Sequence, residues 1–149
     1  MKFVVCVSYV PDTASKINVS LDGKSIEQAG VTYILNPYDE FAIEEALKLK
    51  EKFGGEVDII SLGGDKNKES IQKALAMGAD NGILLKDDSY RDSVAIASGL
   101  AEEIKTLNAD IIFFGKQSVD YDNGVIGQLT AELLGYNCVS VVTKLDITD

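Results

Sequence analysis

The chain has 149 residues, 46% hydrophobic and 26% charged, an ordinary balance for a globular domain and enough chain to bury one core. Its 24 acidic against 14 basic residues give a net charge of −10, which argues against sequence-independent binding of nucleic acid, since that draws on Lys and Arg at phosphates. No apolar run approaches the roughly 20 residues needed to cross a bilayer, no histidine offers an imidazole base or ligand, and Arg91, the single arginine, leaves no guanidinium cluster to clamp a polyphosphate.

Met1-Lys2-Phe3-Val4-Val5-Cys6-Val7 has the apolar centre of a signal sequence but no cleavage site, and it passes straight into Pro11-Asp12. Phe3 to Val7 is therefore expected as a first strand, and the protein as cytoplasmic, or of the mitochondrial matrix if eukaryotic. Leu21-Asp22-Gly23-Lys24 places an Asp-Gly turn between short β-prone pieces, a hairpin signal at a sheet edge. Val31 to Leu35 is extended and stops at Asn36-Pro37. Asn36 as N-cap, Pro37 at the first helical position and Asp39-Glu40 in the first turn start a long helix. Ala42, Ala46, Leu49 and Phe53 mark its apolar face, and Gly54-Gly55 ends it.

Val57 to Leu62 reads as the second core strand, followed by Gly63-Gly64-Asp65 and a helix through Ile71, Leu75 and Met77 that closes at Gly78. Gly82 to Leu85 is the third core strand. Ser89 with Asp92 forms a capping-box pattern for a helix bearing Val94, Ala97, Ala101 and Ile104. Ile111 to Phe114 is the fourth strand, a helix from Asn123 to Leu134 ends at Gly135, and Val139 to Val142 reads as a last strand running into a polar tail. Strands alternating with helices give the α/β class, with a parallel sheet, right-handed crossovers and helices on both faces. Residues 1–149 form one such domain, and the open end suggests part of something longer. Cys6 and Cys138 both sit in apolar runs and are expected as small core residues, not a disulfide.

Ligands of open parallel sheets bind beyond the C-terminal ends of the strands. Here those ends are Val7-Ser8-Tyr9-Val10, Asn36-Pro37-Tyr38-Asp39, Ser61-Leu62-Gly63-Gly64 and the stretch from Gly115 to Thr130. They are suited to surround an adenine nucleotide, with backbone of Cys6, Asn36 and Leu62 at the base and amides of Asn123 to Thr130 on a phosphate. Asp120 and Asp122 oppose a triphosphate without metal and suit a ribose hydroxyl, one phosphate or a buried pyrophosphate; helix capping and dipole matching are the plainer alternative. Gly124 and Gly127 serve either close phosphate approach or turn geometry and helix packing. Ser61-Leu62-Gly63-Gly64-Asp65 has a superficial likeness to an ATP pyrophosphatase loop, but its spacing is off by a residue and it follows the wrong strand.

Three stretches resemble the electron transfer flavoprotein β subunit. They are Asn36-Pro37-Tyr38-Asp39-Glu40-Phe41-Ala42-Ile43-Glu44-Glu45-Ala46-Leu47-Lys48-Leu49-Lys50-Glu51, Ala74-Leu75-Ala76-Met77-Gly78-Ala79-Asp80, and Gly115-Lys116-Gln117-Ser118-Val119-Asp120-Tyr121-Asp122-Asn123-Gly124 with Gly127-Gln128. Val10-Pro11-Asp12-Thr13 is also similar. The resemblance implies a Rossmann-like domain, a heterodimer with an α subunit that carries FAD, and electron transfer from acyl-CoA or other dehydrogenases through the complex to an acceptor. It implies AMP in this subunit, or a second FAD in electron-bifurcating members, without membrane insertion. Carried over by position, the cofactor contacts fall on Cys6, Asn36, Pro37, Tyr38, Asp39, Leu62, Asp120, Asp122, Asn123, Gly124, Val125, Gly127, Gln128, Leu129 and Thr130, with no catalytic or metal-binding residue. Ser8 and Tyr9 depart from a basic pair found in many members. Family β subunits are longer, so the chain resembles their N-terminal nucleotide-binding domain, without the dehydrogenase-recognition loop and C-terminal arm. Two other functions stay open: an adenine-nucleotide module without redox role, and an ATP-using enzyme.

Overall fold

Phe3, Val4 and Val5 are fully buried, as a strand covered on both faces must be, and they place β1 (Lys2–Cys6) inside the sheet. The computed structural model describes residues 1–148. After β1 come β2 (Tyr9–Pro11), β3 (Tyr33–Leu35), α1 (Pro37–Phe53), β4 (Glu56–Gly63), a 3₁₀ turn (Asp65–Asn67), α2 (Lys68–Met77), β5 (Asn81–Lys86), α3 (Ser93–Leu107), β6 (Ile111–Phe114) and α4 (Ile126–Leu134). The main sheet runs β5-β4-β1-β6 and every pairing in it is parallel. Phe3 stands opposite Val57 on one side and Ile111 on the other.

The period-two alternation of β1 sorts the core into two halves. Phe3, Val5, Val57 and Ile59 pack with Ala42, Ile43, Ala46 and Leu49 of α1 and with Ile71 and Ala74 of α2. Val4, Cys6 and Ile60 face the other way, against Leu100 and Ile104 of α3, with Ile126 and Leu134 of α4 at the margin. The expected α/β parallel sheet with helices on both faces and a small antiparallel hairpin is the fold observed. No helix among the described residues is long and apolar enough to cross a membrane.

Several local expectations are corrected. The paired antiparallel strands are β2 and β3, while the Asp22-Gly23 turn closes only an isolated bridge between Val19 and Ile26. The strand through Gly82 to Leu85 is an edge strand with half-buried side chains, because nothing among the described residues pairs beyond it. Asp92 alone caps α3, accepting from Ala95 N at 2.8 Å; Ser89 bonds back to Asp87 instead. Helix α4 starts at Ile126, not Asn123, because the Asn123 carboxamide accepts from Val125 N (3.1 Å) and holds residues 123–125 in a turn.

Val139 to Val142 is not a strand. Among the described residues no strand pairs with the segment, Val139 is 80% exposed, and Val141 adopts φ 56°. Cys138 is consequently exposed while Cys6 is buried. Burial pushes the Cys6 thiol far up, with the Asp39 charge adding to it, so it stays protonated and unreactive. Iodoacetamide should therefore modify one cysteine of the native chain and two after unfolding, with peptide mass spectrometry locating the first label at Cys138. Early labelling of Cys6 would contradict its burial.

Candidate functional site

The chain winds from β1 to β4 to β5, then returns to place β6 on the other side of β1. The strand order therefore reverses between β1 and β6, and in doubly wound sheets the ligand crevice opens at that point, beyond the carboxyl ends. Two loops flank it: residues 7–8 after β1 and the long segment from Gly115 to Val125 after β6.

The N-terminus of α1 reaches into this crevice. Pro37 presets the first turn, but Asn36 and Asp39 do not cap the helix. Both are buried, at 1% and 4% exposure, and both bond to other loops. Asp39 accepts from Ser8 N at 2.8 Å and from Gly115 N at 3.2 Å, so one carboxylate ties the end of β1 to the end of β6. Asn36 donates through Nδ2 to Gln117 O (3.0 Å) and accepts at Oδ1 from Val119 N (3.3 Å). Gly115 permits the approach: a Cβ there would lie 2.2 Å from Asp39 Oδ1 and 2.8 Å from Asp39 N. The backbone amides beside the reversal are thus already occupied by a protein carboxylate.

Burial pushes the Asp39 carboxyl up to about 7, against the lowering effect of the Ser8 and Gly115 N–H groups. A carboxyl whose folded pKa lies above its unfolded one holds its proton better when folded. Its contribution to stability therefore falls as pH rises through the window from about 4 to about 7. Urea midpoints of the wild type should accordingly be lower at pH 8 than at pH 5.5 by an increment that Asp39→Asn lacks. An identical pH increment in both proteins would contradict the assignment.

At the other flank lies the N-terminus of α4. Val125 occupies its N-cap position and no side chain caps the helix, so the first-turn N–H groups of Ile126, Gly127 and Gln128 have no intrahelical acceptor. Gly127 brings this end close to the sheet, since a Cβ there would stand 3.3 Å from the Phe114 ring. Asp120 and Asp122 do not cap α4. Asp122, at φ 51°, accepts from Gln117 Nε2 at 2.9 Å, and Asp120 accepts from Tyr121 N, so both shape the loop.

Cys6, Asn36, Tyr38, Asp39, Leu62, Asp120, Asn123, Gly124, Gly127, Gln128 and Thr130 line one groove; Pro37, Asp122, Val125 and Leu129 lie off it. Thr130 is fully buried, with its hydroxyl spent on Ile126 O at 2.8 Å. The Leu62 carbonyl accepts from Asn67 Nδ2 (3.4 Å). Lys116 lies 5.9 Å from the Tyr38 ring at the mouth. The groove measures about 1540 Å³, more than a small-ligand pocket of roughly 300–1,000 Å³, because it continues past the outer edge of β6 to Tyr136–Leu145.

One wall was missed from sequence: the loop after β5, with Tyr90, Arg91 and Ser93. Ser93 Oγ accepts from Asn123 Nδ2 at 2.8 Å and joins that loop to the one after β6. The same rule about strand ends, applied to the strand ending near Lys86, would have found it.

The family model described as "Electron transfer flavoprotein domain" matches residues 24–149. Over 148 residues the chain is 44% identical to a protein named electron transfer flavoprotein subunit beta from Syntrophomonas wolfei, covering 99% of this chain and 58% of that one. A protein of the same name from Clostridium acetobutylicum is 41% identical over 149 residues, 99% of this chain and 57% of its own length. Protein FixA of Azotobacter vinelandii is 36% identical over 151 residues, 97% and 53% respectively. The chain thus spans less than two thirds of the length of these curated relatives.

Proposed function

Because this chain belongs to the electron transfer flavoprotein family, we propose that it binds the adenosine phosphate of AMP or FAD in the crevice between β1 and β6, as the N-terminal nucleotide-binding domain of a β subunit. The observation that carries this reading is the coincidence of the reversal crevice with an uncapped helix N-terminus, that of α4, close to the end of β6. The phosphate lies on the N–H groups of Ile126, Gly127 and Gln128. Backbone of Cys6, Asn36 and Leu62 edges the base, and Asp120, exposed in the loop, suits a ribose hydroxyl.

The residues present fit that group. The only arginine along the groove, Arg91, is already paired with Asp87 at 2.7 Å, so the phosphate is held by backbone dipoles, which suits one phosphate or a shielded pyrophosphate better than a triphosphate. AMP supplies no redox chemistry, whereas FAD, when bound, supplies a flavin able to accept and pass on electrons. The chain's own residues orient the nucleotide. In the whole protein, this domain pairs with an FAD-bearing α subunit, and the heterodimer carries electrons from acyl-CoA or other dehydrogenases to an acceptor.

Asn123→Leu tests the placement, because it removes the bond to Ser93 and the turn leading into α4. AMP retention should fall at least about tenfold, because the approach to the first turn of α4 is no longer fixed, while the thermal midpoint moves little, since Asn123 and Ser93 are only partly buried. Retention unchanged in Asn123→Leu would contradict a phosphate at α4. A chain that binds AMP yet never associates with a flavin-bearing α subunit would instead favour a nucleotide module without redox traffic.

A further inference from the structure

We propose that Asn36 and Asp39 are positioning residues, whose buried side chains clamp the loop after β6 to the N-terminus of α1 and thereby hold it in its nucleotide-binding shape. The proposal rests on the nucleotide reading above and assigns these two side chains a different task from ligand contact. Both oxygens of Asp39 and both polar atoms of Asn36 are already engaged with backbone. The bonds reach 76 and 83 residues along the chain, to Gly115 and Val119. No buried side-chain polar atom among the described residues lacks a partner.

Two features make this a clamp rather than ordinary helix capping. The residues stand three apart at the start of a 17-residue helix whose Ala42, Ile43, Ala46 and Leu49 are buried in the core, so α1 keeps its seat without them. Their partners, in contrast, lie in a loop whose other ties are short-range or sit at its far end: Ser118 N to Asn123 O (3.2 Å), Gln117 Nε2 to Asp122, and Asn123 to Ser93. Beyond the clamp, the tie of residues 115–119 to α1 among the described residues is the Lys116 side chain, 5.9 Å from the Tyr38 ring. Asp39 must offer two acceptors to two N–H donors, and Asn36 one acceptor and one donor. The isosteric exchange Asp39→Asn keeps shape and spoils one bond, since an amide then faces an N–H, whereas Asn36→Leu keeps the size and removes both bonds.

The test is amide hydrogen exchange by NMR on the ligand-free chain, paired with AMP titration by calorimetry. In Asp39→Asn the amide of Ser8 or Gly115 that then faces the side-chain NH2 should exchange at least about tenfold faster, and in Asn36→Leu, which removes the acceptor, the Val119 amide likewise. Core amides such as Val5 and Ile59 should keep their wild-type rates, and AMP should bind at least about tenfold more weakly to both variants. Unchanged exchange at these amides overturns the proposal. So does a uniform loss of protection that includes the core, which would mean a merely structural role, or opened loops with unaltered AMP affinity. A wild-type chain that binds no AMP overturns the nucleotide reading itself, and the two failures are told apart because the exchange pattern needs no ligand.

Discussion

Gly115→Ala should lower the stability of the fold by about 2–3 kcal/mol, the upper part of the range for overpacking a tight contact, and abolish nucleotide retention with it. A Cβ at this position meets Asp39 Oδ1 at 2.2 Å, Asp39 N at 2.8 Å and Tyr38 C at 2.8 Å. Two of those three atoms are backbone at the start of α1, so relief cannot come from a side-chain rotation. Either β6 slides away from β1, or the first turn of α1 moves out. Both motions stretch the bond from Gly115 N to Asp39, which leaves a buried carboxylate oxygen without its donor. Urea unfolding checks the stability loss, and a midpoint within error of wild type would show that the crevice is looser than described.

The second large effect is expected for Gly127→Val. Helix α4 begins beside the Phe114 ring, with the ring's Cγ 3.3 Å and its Cδ2 3.4 Å from where a Cβ would lie. One methyl group would only press on the ring; a β-branched side chain in the first helical turn must push the helix start off the sheet. The N–H groups offered to the phosphate move with it. We expect nucleotide affinity to fall by about 100-fold or more, corresponding to about 2.7 kcal/mol or more, while secondary structure by circular dichroism stays near wild type. Affinity within a factor of two of wild type would remove the phosphate from this helix.

These two glycines also show how far sequence reading reaches. The buried strands were legible because their apolar runs are uninterrupted: Ile111 to Phe114 matches β6 to the residue, and Val57 to Leu62 lies inside β4. Asn36-Pro37 announced the start of α1 correctly through the proline. What the pattern could not show was where the polar side chains go. Asn36 and Asp39 look like a cap and a dipole partner along the sequence, yet their bonds cross 31 to 83 residues of chain.

The same limit explains the other misreadings. Ser89 and Asp92 both fit a cap, and only local geometry decides that Asp92 takes Ala95 N. Val139 to Val142 has the composition of a strand, but a strand also needs a partner, and β6 has no neighbour on its outer side among the described residues. The candidate groove was legible as a set of strand ends. Its third wall, the segment from Tyr90 to Ser93, was passed over because its residues carry no glycine or motif that marks ligand contact, although its place beyond the end of β5 was signal enough.

Whether the crevice holds a nucleotide is decided by denaturing the purified chain and identifying any released small molecule by absorbance and mass, then titrating AMP into the emptied, refolded protein and into Gly127→Val. AMP or FAD is expected in the released fraction, or saturable AMP binding by the emptied chain, and in either case loss of that binding in Gly127→Val. A chain that releases no adenine nucleotide and binds none, with its fold intact by circular dichroism, would contradict a nucleotide site in the crevice between β1 and β6.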